Sequence, residues 1–214
     1  MGKGEVQKRG SRRRQLKPVV LIVTEGFKTE PKYFDSFRNR QTNIDIQVVS
    51  GGAGPGTDYA SLVRKAAAYM EKNGLSARNG DQLWIVADAD VNYNVPDPVT
   101  AKSRQLEAAK KTAAKHGIQI ALSNPCFEVW FLLHFKYSSG YLQDYPAVLT
   151  QLRNYLPDYE KNVDITAALM EHTEQAVQNA EKLETYHTEN GHTDLCCIEV
   201  NPYTGVYKLV DSIR

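Results

Sequence analysis

Apolar and polar positions along this chain fall into two periods that exchange at definite points. Pro18–Val23 is a short apolar run that does not alternate, which predicts a strand buried on both faces. It ends in Thr24-Glu25-Gly26. Pro31 suits the first position of a following helix, with Glu30 before it biased out of helical geometry. Tyr33, Phe34 and Phe37 give that helix an apolar face. Ile44–Val49 alternates and predicts a second strand. Gly51–Gly56 is a loop by composition, and a helix is predicted from about Asp58 to Lys72. Leu83–Ala87 predicts a third strand, again buried on both faces, ending in Asp88-Ala89-Asp90.

Beyond a Pro-rich loop the pattern predicts a helix over 100–116, a short strand over 118–122 and an apolar helix over 126–136. Helices follow over 146–156 and 164–189, then a last strand over 195–200 and a closing helix near 203–213. Strands alternating with helices predict an α/β fold with a mainly parallel sheet flanked by helices and a helix-rich C-terminal half. The stretch 141–190 reads as a helical addition, an insertion or a cap, on one domain spanning 18–214. No internal repeat recurs at a fixed period.

Composition changes this picture in three respects. The longest apolar runs are far shorter than the roughly 20 residues of a membrane span, and no N-terminal apolar stretch reads as a secretory signal. Cys126, Cys196 and Cys197 are too few and too unevenly placed for a disulfide framework, so a reducing cytoplasm is the expected setting. The formal charge of +1 hides an asymmetry. Residues 1–17 carry seven basic side chains against one acid, whereas the other 197 residues carry 19 basic and 24 acidic side chains, net −5. The leader 1–17 lacks apolar periodicity and is expected to be disordered. It suits either attraction to phosphate backbones or simple solubilisation.

In open parallel sheets, ligands gather beyond the carboxyl ends of the strands. Two of the predicted buried strands end there in acids, one delivering Glu25 and the other Asp88 and Asp90. Carboxylates two residues apart point the same way while strand geometry persists, and they repel one another without a cation. Hard oxygen donors of this kind suit Mg²⁺ or Mn²⁺, which would polarise a phosphoryl oxygen. Any one of these acids alone reads equally as a loop residue or a helix cap; two acidic strand ends together favour a site.

Glu30 suits a helix cap or a place at the metal, and Lys28 a phosphate contact or open solvent. Asn124 before Pro125 reads as an N-cap. Glu128 in the next turn is favoured by the macrodipole. Phe127, Trp130, Phe131 and His134 share one helical face, so His134 reads first as a packed residue.

Three further signals are weaker. Gly51–Thr57 has Thr57 where a phosphate-binding P-loop needs lysine. His187, His192, Cys196 and Cys197 fit no common zinc spacing. Tyr137, Tyr141, Tyr145, Tyr155 and Tyr159 suit base stacking or helix packing equally.

Four motifs resemble those of the RloB-like proteins, in the family's order and covering about 18–213. They are Thr24–Phe34, Ile85–Asp90, Asn124–Phe135 and Asn201–Val206. The resemblance implies a Toprim-like fold, shared with topoisomerases, primases and OLD-type nucleases. It also implies a prokaryotic defence, abortive-infection or restriction-linked setting, often beside an ATPase partner. By the resemblance, Glu25 is the general acid or base at a scissile phosphodiester, and Asp88 and Asp90 hold Mg²⁺. Glu128 would be a further catalytic carboxylate. Lys28, Glu30, Asn92, Asn124, His134 and Asn201 remain secondary candidates. Asn92 stands where a third acid is often found; it keeps an oxygen and removes a charge. The expected function is a Mg²⁺-dependent nuclease acting on DNA or RNA. The alternative is a regulatory, receiver-like phosphoacceptor, or a non-enzymatic module that binds an ATPase.

Overall fold

The apolar run after Pro18 forms an interior strand because both of its faces are covered. The computed structural model describes residues 17–38, 43–51, 58–160 and 163–214. In it, β1 (Val19–Thr24) lies between β2 (Asp45–Ser50) and β3 (Gln82–Asp88). β4 (Ile118–Asn124) and β5 (Tyr203–Thr204) complete a five-stranded sheet in the order β2-β1-β3-β4-β5. The first four strands are parallel, and β5 is antiparallel to β4. The basic leader, except Lys17, and the glycine-rich loop from 52 to 57 lie outside the described residues.

Successive residues of each inner strand serve opposite layers, as a period of two requires. Leu21, Val23, Leu83, Ile85 and Ala87 face α2 (Tyr59–Asn73) and α3 (Pro98–Lys115). Val20, Ile22, Trp84 and Val86 face α1 (Thr29–Asp35), α4 (Glu128–Phe135) and α8 (Val206–Ile213). Doubly covered strands need no alternation, which is why β1 and β3 read as continuous apolar runs.

α4 is enclosed almost entirely: each residue from Glu128 to His134 is buried. α5 (Tyr145–Leu152), α6 (Thr166–Met170) and α7 (Thr173–Glu189) form an outer layer in the same core, with α5 and α7 packed on α4. Asn179 on α7 ties that layer down by donating from Nδ2 to the Leu133 carbonyl at 2.7 Å. A helix hydrophobic all round is stable only when enclosed in this way.

Four local expectations are corrected. α1 begins at Thr29, so Glu30 is helical despite preceding Pro31; its carboxylate bonds back to the Gly26 amide and fixes the turn. The helix expected over 164–189 is two helices, interrupted at Glu171 and His172. Residues 195–200 are not a strand, because the carbonyls of Ile198 and Val200 are bonded by the Asn124 side chain rather than a ladder. Asn124 itself is not an N-cap. It closes β4, while α4 starts at Glu128 with Phe127 in the cap position. Among the described residues no helix is long and apolar enough to cross a membrane.

Candidate functional site

The connections leaving β1 and β3 run to opposite faces of the sheet, since α1 packs on one side and α3 on the other. Neighbouring strands whose connections diverge leave a crevice at their carboxyl ends, the usual ligand position in such sheets. Glu25 follows β1 and Asp88 ends β3, so both stand at this point. The Glu25 amide continues the ladder by donating to the Val86 carbonyl at 3.0 Å. Here the structure opens a cleft of about 460 Å³ whose lining includes Glu25, Lys28, Glu30, Asp88, Asp90 and Glu128.

Each acid is held by a different element. Glu25 Oε2 accepts from the Asp88 amide at 3.1 Å, which fixes the carboxylate across the crevice. Tyr59, at the start of α2, donates its hydroxyl to the Asp88 carbonyl at 2.8 Å. Burial, and then the charges of Glu25 and Asp88, push that hydroxyl far above its ordinary value. Strand geometry does not persist past Asp88 as expected, because Asp90 has a left-handed backbone at φ 33. Aspartate tolerates that region better than most residues. The turn is fixed by the Ala89 and Asp90 amides, which donate to Ser123 and Pro125 carbonyls at 2.8 and 3.0 Å. Both aspartates still line the cleft.

Glu128 enters from α4 at only 2% exposure, with Oε1 accepting from the Tyr159 hydroxyl at 2.9 Å. Burial, and then the Glu128 charge, push the Tyr159 hydroxyl up. The Cys126 thiol is likewise pushed well up, by burial first and then by the charges of Glu128 and Asp88. One thiol thus feels acids from both β3 and α4.

Glu30 closes the turn after β1: its Oε1 accepts from the Gly26 amide at 3.0 Å. A Cβ at position 26 would run into the Glu30 carboxylate and push it off its bond to the residue 26 amide. Lys28 is exposed at the mouth, its Nζ 5.5 Å from the Phe27 ring centroid.

The other candidates lie elsewhere. Asn92 is exposed and its Oδ1 accepts from the Asn94 amide at 3.0 Å, within its own loop. Asn124 donates from Nδ2 to the carbonyls of Ile198 and Val200, both at 2.8 Å, and accepts from Asn201 Nδ2 at 3.1 Å. Asn201 also bonds the amide and carbonyl of Leu142, each at 2.8 Å. These two asparagines form a clamp joining three chain segments. The peptide bonds from both to the following prolines are cis. The sequence marks Tyr159 only as a stacking or packing residue and does not mark Tyr59 at all. The first is a buried partner of Glu128 rather than a stacking surface, and no local pattern marks the second. His187 bonds the Pro202 carbonyl at 2.7 Å, away from the cleft.

His134 is packed, as its helical face suggested, with Nδ1 bonded to the Trp130 carbonyl at 2.9 Å. Burial pushes its pKa down to about 4. The unfolded chain takes up this proton near pH 6.5 and the folded chain only near 4, so stability present above 6.5 is lost as pH falls between them. The loss should be on the order of 3 kcal/mol. Urea unfolding of His134→Phe should show that much less difference between pH ~7 and ~4.5 than the native chain does. An unchanged difference would contradict the assignment.

The donor set suits a hard divalent cation, since β1, β3 and α4 deliver the carboxylates of Glu25, Asp88, Asp90 and Glu128 to the cleft. Among the described residues no three His, Cys, Asp or Glu side chains are grouped to cage an ion by themselves.

No curated protein and no solved structure matches the chain. The sequence model of the RloB-like protein family matches residues 20–213, which carry every carboxylate lining the cleft, and the chain belongs to that family.

Proposed function

We propose that this protein is a divalent-metal-dependent nuclease of Toprim type that cleaves phosphodiester bonds in DNA or RNA. We assign it to the effector arm of a prokaryotic antiphage defence or restriction-linked system, acting in the cytoplasm beside an ATPase partner. The observation that carries this reading is the meeting of Glu25 from β1 with Asp88 and Asp90 from β3 in one cleft.

Asp88 and Asp90 would hold Mg²⁺ or Mn²⁺, with Glu128 as a further carboxylate behind them. The bound ion would withdraw electron density from the phosphoryl oxygen. Glu25, oriented by the Asp88 amide, takes the proton of an attacking water or returns one to the leaving oxygen as the P–O bond breaks. Lys28 at the mouth offers positive charge to an incoming phosphate. The test is incubation with labelled DNA and RNA strands in Mg²⁺, in Mn²⁺ and in excess chelator. Cleavage confined to the metal-containing arms supports the reading, and cleavage undiminished by chelator contradicts it.

The strand order favours one rival. A β2-β1-β3-β4 parallel core with acids at the β1 and β3 ends is also the layout of receiver-type phosphoacceptors. Incubation with acetyl phosphate and Mg²⁺ separates the two: the nuclease reading expects no phosphoaspartate at Asp88 or Asp90 by mass spectrometry.

The basic leader makes its own prediction. Deleting residues 1–17 should weaken nucleic-acid binding and flatten its salt dependence, by roughly 0.7–0.9 in log–log slope for each phosphate that the leader neutralises. An unchanged slope would make the leader a solubilising tail.

A further inference from the structure

We propose that the cleft takes its nucleic acid as a single strand, with unpaired bases stacked on Phe27 at one rim and on Tyr93 and Tyr141 beyond the other. This rests on reading the acidic cleft as a nucleic-acid site. Exposed aromatic rings gather at this edge of the sheet. Phe27 is 56% exposed, lies two residues past Glu25 and itself lines the cleft. Tyr93 is 43% exposed and lies three residues past Asp90, hence within roughly 11 Å of it along the chain.

Tyr141, 64% exposed, comes from the other half of the chain. Its segment is brought to the same edge by the Asn201 bonds to Leu142 and by the bond from Asn201 to Asn124 at the end of β4. The Tyr93 and Tyr141 hydroxyls are hydrogen-bonded at 2.9 Å while both rings stay open to solvent. Such a bond orders two surface side chains that gain little from burial, and pre-ordered rings lose less freedom when a base stacks on them. The Lys28 ammonium lies over the Phe27 ring, 5.5 Å from its centroid, so a base that stacks on that face displaces an exposed, mobile cation towards its own phosphate.

Base faces are open to side chains only when the bases are unpaired, which selects single strands over duplex. Charge argues the same way. Residues 18–214 carry 19 basic and 24 acidic side chains, a poor surface for a duplex with one negative charge per ~1.7 Å of axis. Stacking does not depend on that balance.

The test is binding rather than cleavage, so it stands apart from the catalytic assignment. Full-length protein in excess chelator is titrated into short labelled single-stranded DNA, single-stranded RNA and the matching DNA duplex, with fluorescence anisotropy as readout. Single strands should bind at least about tenfold more tightly than duplex, and Phe27→Ala combined with Tyr141→Ala should weaken them by roughly tenfold or more. The melting temperature should stay unchanged, because both side chains are exposed. Tyr141→Phe, which keeps the ring, should retain most of the affinity. The DNA and RNA arms identify which strand is preferred. Duplex binding equal to single-strand binding, no binding at all, or a double variant matching the native chain would each overturn the proposal. Binding as expected beside undiminished cleavage by Glu25→Gln would keep the proposal and remove only the catalytic role of Glu25.

Discussion

Glu25→Gln will lower phosphodiester cleavage by roughly 10²–10⁴-fold, the range that a positioned general acid or base contributes. Glutamine has the same shape and keeps an oxygen to accept the Asp88 amide, so the bond across the β1–β3 crevice survives. The β1 ladder also survives, because the Val86 carbonyl is met by the backbone amide of residue 25. Only the charge and the capacity to carry a proton are removed. Urea unfolding should therefore change by less than about 1 kcal/mol. Glu25→Ala is a poorer probe, since it also strips the Asp88 amide of its partner. A Glu25→Gln protein that cleaves like the native one would end the catalytic assignment.

Asn124→Ala will destabilise the fold by on the order of 4 kcal/mol, although Asn124 touches no substrate in this account. Its amide satisfies two carbonyls, and its oxygen takes a third bond, from Asn201. Leaving a buried polar group without its partner costs about 1–3 kcal/mol, and this substitution does so at more than one place. Asn201→Ala should cost less, because that residue is only half-buried. The pair should be non-additive in a double-mutant cycle, since the two side chains share a bond. Activity should fall with stability, because the carbonyls of Ser123 and Pro125 beside Asn124 hold the Ala89 and Asp90 amides. A loss below about 0.5 kcal/mol on urea unfolding would contradict the clamp.

The sequence carried the central acids but not the reason that they meet. β1 and β3 were legible because strands covered on both faces leave unbroken apolar runs, and their ends exposed Glu25, Asp88 and Asp90 directly. Strand order was not legible, because no local pattern says that β3 pairs with β1 on the side away from β2. That adjacency creates the crevice. Asp88 and Asp90 were expected to point the same way only while strand geometry persisted; it ends at Asp88, and both still line the cleft, Asp90 from a left-handed residue held by β4.

Asn124 shows a different limit. Capping rules are local, and Asn before Pro satisfies them; its actual partners lie 74 to 77 residues away. A local rule has no means of weighing such competitors. Glu128 was recognised from the motif and its first-turn position. Its burial against Tyr159 depends on the outer helical layer, which single-sequence periodicity outlines without placing. The same packing turned Tyr159 from a candidate stacking surface into a carboxylate partner, while Tyr141 stayed at the surface.

The cleft at the β1–β3 crevice, with its carboxylates from Glu25, Asp88, Asp90 and Glu128, should bind the divalent ion for phosphoryl chemistry. Crystals soaked in Mn²⁺ and measured for anomalous scattering test it most directly. A peak is expected in the cleft, with oxygens of Asp88 and Asp90 at about 2.1 Å and Glu25 and Glu128 around it. A cleft without anomalous density at saturating Mn²⁺, or a peak held only by residues elsewhere on the chain, would contradict it.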